Sequence, residues 1–187
     1  MHHRVFFQAL LTGSTQANHL EDKIMIIIDR KLALSVSESA KASARLRKNH
    51  NFHADYADPV NRMLNAFEPG TYVRPHKHES PDKCEVFIVL TGRALVIQFD
   101  DSGAIIEHTI LDNATGTFGV EFAPRVWHTI LSLAPGTVVY EVKPGPYAPI
   151  DDKNFAPWAP PEGSAGSAAY LVSILKTLGL EMHEKFS

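Results

Sequence analysis

From Pro59 to Lys143 the apolar positions fall in short runs separated by turn-forming residues, the pattern of an antiparallel β domain. Val60 to Glu68 is closed by Pro69-Gly70, and Thr71 to His76 forms the next run. Cys84 to Leu90 is closed by Thr91-Gly92. Arg93 to Phe99 and Ala104 to Leu111 flank Asp100-Asp101-Ser102-Gly103, a turn signal between two strands. Thr117 to Ala123, Trp127 to Leu133 and Thr137 to Lys143 complete the series, with Ala134-Pro135-Gly136 as a further turn. This spacing predicts an antiparallel sandwich or barrel.

The flanks read differently. Ile24 to Ile28 is a β-branched run that predicts a short strand. Leu32, Val36, Ala40 and Ala44 then recur at helical spacing, predicting an amphipathic helix over 30–48 with Asp29 at its start. Residues 144–163 are rich in proline and aromatics and predict an irregular arm whose aromatics dock on the barrel. A Gly-Ser-Ala linker, 163–167, leads to a terminal helix over 168–178. Residues 1–24 resemble a signal peptide only faintly, because Gln8 interrupts the apolar run and no clean cleavage site follows. The expected organisation is a poorly ordered leader over 1–24, a β domain over 25–160, and a linker with a helix over 161–187.

Composition narrows the function classes. A length of 187 residues suits one domain with extensions. The net charge of −3 offers no basic footprint for nucleic acid, and no apolar run reaches membrane-spanning length. The single cysteine, Cys84, excludes an intramolecular disulfide and fits a cytoplasmic protein. The ten histidines change the picture most, since histidine is the commonest metal ligand.

The chemistry concentrates between Gly70 and Gly92. His76 and His78 are two apart, so on an extended strand their side chains share a face. Glu85 begins the next strand and can supply an oxygen beside them. His128, after Trp127, lies on a later strand that can close the site. Three imidazoles and one carboxylate suit one divalent transition metal, whether Fe, Ni, Mn, Co or Zn, and leave coordination positions open. Glu79 is the rival carboxylate. Cys84 should face away from Glu85 by strand alternation, and His50 and His53 read as solvated.

Gly70, five residues, His76-x-His78, Glu85, six residues and Gly92 resemble the first motif of the cupin superfamily, with a longer gap before Glu85 than is usual. Gly119 to His128 stands where the second motif is expected. There the turn glycine is absent, and Ser132 replaces the usual asparagine. The run Arg62 to His78, Gly119-Val120-Glu121, Trp127-His128-Thr129 and Glu141 to Tyr147 is similar to the WbuC-type cupin-fold metalloproteins. The resemblance covers about 29–160. It implies an all-β double-stranded β-helix, or jelly-roll barrel, a homodimer, and a link to bacterial surface polysaccharide.

Tyr72 and Arg74 share parity with His76 and His78, so they are expected to face the same cavity. Asn65, Arg62, Lys143 and Tyr147 are further substrate-binding candidates, lying in the segments that carry the resemblance. Two functions remain open. One is a metalloenzyme of dioxygenase or isomerase type acting on a small acid or sugar derivative. The other is a metal-dependent binding or sensor module without turnover.

Overall fold

The computed structural model describes residues 25–147 and 154–181; the expected leader lies outside them. Helix α1 spans Arg30–Lys41, and strands β1 to β4 span Arg47–Asn51, Val60–Phe67, His76–Lys77 and Glu85–Thr91. Strands β5 to β7 span Arg93–Phe99, Ile105–Asp112 and Gly119–Phe122. Strands β8 to β10 span Trp127–Ser132, Thr137–Pro144 and Asn154–Phe155, and helix α2 spans Ala165–Thr177. No helix among the described residues is long and apolar enough to cross a membrane.

Two five-stranded antiparallel sheets form, in the orders β1-β2-β9-β4-β7 and β10-β3-β8-β5-β6. From β2 to β5 the chain alternates between the sheets, and β6 to β9 retrace that path. Each of these strands except the edge strand β6 therefore has a sequence-distant neighbour. That is the eight-stranded jelly roll, the architecture that includes the cupins; β1 and β10 extend it at its edges.

Alternation along the strands explains the layers. Phe67, Phe87, Val89, Ala94, Val96, Ile130 and Val139 point between the sheets and form a common core. The opposite faces are also apolar because each is covered by a helix. Ala33, Val36 and Ala40 of α1 lie on Leu64, Ala66 and Val138. Leu171, Ile174 and Leu175 of α2 lie on Leu95, Ile97, Leu131 and Leu133. Trp158 of the proline-rich arm joins the second layer, with its ring 5.1 Å from Phe99. The arm is held further by Glu162, which pairs with Arg45 at 2.7 Å and Arg47 at 2.6 Å.

Several boundaries differ from expectation. The first helix ends at Lys41 rather than near 48; beyond its cap at Ala42, Leu46 turns into the left-handed region (φ 54°) and the chain enters β1. There Arg47 to Asn51 pair with Phe67 to Met63, so ladder hydrogen bonds override helical spacing. Met25 to Ile28 form no strand and are exposed. The stretch expected as a strand up to His76 is irregular until His76 itself.

Candidate metal centre

Four buried side chains from both sheets meet at one end of the barrel. His76 lies on β3 with His78 just after it, and His128 lies on the neighbouring strand β8, directly opposite His76. Glu85 opens β4 on the facing sheet and points inward with Phe87 and Val89, because all three occupy alternate positions. Each of the four is no more than 2% exposed. One ligand atom from each lies within 4.8 Å of every other. Small side-chain movements suffice to bring all four to the roughly 2.0–2.2 Å that metal coordination requires.

The ring orientations suit coordination. His76 Nδ1 lies 3.1 Å from the Arg74 carbonyl, and His128 Nδ1 lies 2.9 Å from the Val126 carbonyl. A carbonyl only accepts, so each Nδ1 carries the proton and each Nε2 presents a lone pair to the cluster. Phe122 stacks on His128 at 4.4 Å and fixes its plane.

His128 Nε2 lies 2.9 Å from Glu85 Oε2, and His78 Nε2 lies 3.2 Å from the same oxygen. In the neutral His128 ring that contact sets a lone pair against a carboxylate. A shared cation removes the repulsion, and a site that also presents His76 and His78 fits a metal ion.

Charge is balanced locally. Burial pushes the Glu85 carboxyl up, and the Lys143 ammonium beside it is the largest influence pulling it down. The carboxyl is held well below the usual carboxylate range. Lys143 Nζ lies 3.4 Å from Glu85 Oε1 and 3.3 Å from Glu141 Oε1. It also sits 5.8 Å from the centre of the Tyr147 ring. Asn65 donates its amide hydrogen to the other oxygen of Glu141.

A cavity of about 560 Å³ opens beside the cluster and is bounded at that end by His76 and Glu85. Of the expected substrate residues, Asn65, Lys143 and Tyr147 line it. Tyr72, Arg74 and Arg62 do not. Tyr72 donates its hydroxyl to the Pro160 carbonyl at 2.9 Å, and Arg74 donates to the Ala156 carbonyl at 2.7 Å. Their parity with His76 is lost because the chain before β3 is not an extended strand; Val73 faces the cavity instead. Arg62 occupies an outward position of β2 and pairs with Asp58 at 3.3 Å. Glu79 pairs with Lys77 outside the cluster.

Sequence reasoning missed Asn61 and Glu141, which line the cavity, and read His53 as solvated although it is buried there. Alternation held the signal for Asn61. It shares a face with Met63, Asn65 and Phe67.

A family model described as Domain of unknown function (DUF6016) matches residues 28–111. None of the curated proteins matches. Among solved structures the chain is similar to KdgF from Halomonas sp., at 16% identity over 55% of this chain and 82% of that one, with a TM-score of 0.43. It is similar to the cupin domain of Cnp3 from Schizosaccharomyces pombe, at 11% identity over 53% and 64% of the two chains, with a TM-score of 0.41. It is also similar to Cellulomonas parahominis L-ribose isomerase solved with L-psicose, at 17% identity over 66% and 71%, with a TM-score of 0.46.

Proposed function

We propose that this chain is a metal-dependent cupin enzyme. One divalent transition ion is held by His76, His78, Glu85 and His128, and the substrate is a small acid or sugar derivative taken into the adjoining cavity. The observation that carries this reading is the convergence of four buried donors beside that cavity. Fe, Ni, Mn, Co and Zn all accept such a set. A bound ion would supply Lewis-acid polarisation of a substrate oxygen, or dioxygen activation if ferrous.

The protein's own groups define the rest. The backbone carbonyls of Arg74 and Val126 hold the His76 and His128 rings in one tautomer. Lys143 keeps Glu85 ionised and stands between it and Glu141. Glu141 and Lys143 therefore bring a carboxylate and an ammonium to the cavity close to the ligands, where proton transfer needs them. That placement favours turnover over a purely binding module. The resemblance to WbuC-type proteins supports a substrate linked to bacterial surface polysaccharide, and the donor set suits a dioxygenase or isomerase pattern.

Elemental analysis of purified protein tests the reading. About one ion per chain is expected in the wild type. His76→Ala should lose it while the far-ultraviolet circular dichroism stays that of a β barrel. Unchanged metal content in His76→Ala refutes the assignment. Oxygen uptake under iron loading and sugar isomerisation assays then distinguish the two reaction types.

A further inference from the structure

Among the described residues, the cavity wall beside the four candidate ligands carries hydrogen-bonding capacity that no side chain or backbone group meets. Asn61 is 1% exposed, and neither its amide nitrogen nor its oxygen has a hydrogen-bond partner among the described residues. Asn65 is 5% exposed. Its nitrogen is committed to Glu141, while its oxygen has no partner among the described residues. Buried amides are almost always hydrogen-bonded in folded proteins, so three such atoms on one cavity wall mark a place built for another molecule.

Register locates the wall relative to the metal ligands. Asn61 pairs with Lys143 across β2 and β9, and Lys143 reaches Glu85 on the next strand. Asn61 therefore lies about 10 Å from Glu85, two strand spacings away. The Asn65 backbone lies about 13 Å along β2 from that of Asn61, and its amide reaches back to Glu141, which touches Lys143.

We propose that Asn61 and Asn65 form a recognition subsite for the hydroxyl groups of a polyol or sugar chain whose other end lies at the metal centre. The inference rests on the metal-dependent reading above and narrows its substrate from acid or sugar to a hydroxyl-rich carbon chain. The chemistry selects hydroxyls. An amide offers donors and an acceptor together, and a hydroxyl answers both. A carboxylate only accepts, so it would leave both amide oxygens unmet. Three of the four lysine and arginine side chains that line the cavity are engaged as well, and the fourth, Lys48, is exposed. Arg45 and Arg47 hold Glu162, and Lys143 lies between Glu85 and Glu141.

The test uses zinc-loaded full-length protein and calorimetric titration with two probes of equal carbon number. D-gluconate carries hydroxyls along its chain, and hexanoate carries none. Gluconate is expected to bind about tenfold or more tightly than hexanoate, since each buried hydrogen bond contributes up to about that factor. Asn61→Leu, of similar volume, should weaken gluconate about tenfold, leave hexanoate unweakened and melt no lower than wild type. Hexanoate binding as well as gluconate, no gluconate binding, or gluconate affinity unchanged in Asn61→Leu each overturns the subsite. Zinc content is measured on the same samples. Its absence from wild type counts against the metal reading itself, whereas zinc present without a gluconate preference counts against the subsite alone.

Discussion

The contact between Glu85 and Lys143 permits a quantitative test of how the centre holds its charge. Glu85→Gln keeps the shape of the side chain and removes its charge. Lys143 is 4% exposed and would then lose the charge of Glu85 while keeping that of Glu141. At 3.4 Å and an effective dielectric of about 20, the attraction between Lys143 and Glu85 is roughly 5 kcal/mol. Desolvation and the remaining Glu141 partner offset part of it. Glu85→Gln should therefore cost about 2–4 kcal/mol in protein stripped of metal. Lys143→Met leaves Glu85 beside two histidines and should cost a similar amount.

The double variant removes both charges, so neither is left buried without its partner. It should cost less than the two singles together by about 2 kcal/mol. Urea unfolding in the presence of a chelator, followed by the fluorescence of Trp127 and Trp158, measures all four proteins. Additive costs, within about 0.5 kcal/mol, would refute the claim that Lys143 compensates Glu85.

Two predictions concern the frame around the site. Tyr72→Phe loses the hydrogen bond to Pro160 and should cost about 1 kcal/mol at neutral pH. Burial, followed by the nearby Tyr170, pushes the Tyr72 hydroxyl up. Its contribution is thus full below the unfolded value of about 10 and is lost as pH rises beyond it. Thermal melts between about pH 9 and pH 11 should fall less steeply in Tyr72→Phe than in wild type, and parallel slopes would contradict this. Gly92→Ala should destabilise by about 2–4 kcal/mol, because Gly92 has φ +74° and an added Cβ would lie 2.6 Å from the Thr137 Cα. A melting temperature equal to wild type would show that the β4–β5 turn yields freely.

Much of the fold is legible because hydrophobic strands and glycine turns carry their own signals. β2, β4 to β6, β8 and β9 fall close to the expected places. β1 was hidden for a physical reason. Arg47, Lys48, Asn49, His50 and Asn51 show no apolar alternation, since one face meets a polar cavity and the other meets solvent. The gathering of His76, His78, Glu85 and His128 was readable from the two-residue spacing and the motif resemblance. Tyr72 and Arg74 were not, because alternation holds only within a strand and the chain before His76 is irregular. Asn61 escaped notice because a polar residue on a core-facing position of a strand reads as noise until the space beside it is seen.

The donors of the centre are divided between the two layers of the barrel, with Glu85 on one and the histidines on or beside strands of the other. Any ion gripped there rivets the layers together. Metal affinity and the rigidity of the whole sandwich then become one property, and a core substitution far from the histidines that lets the layers breathe will loosen the grip on the ion as well.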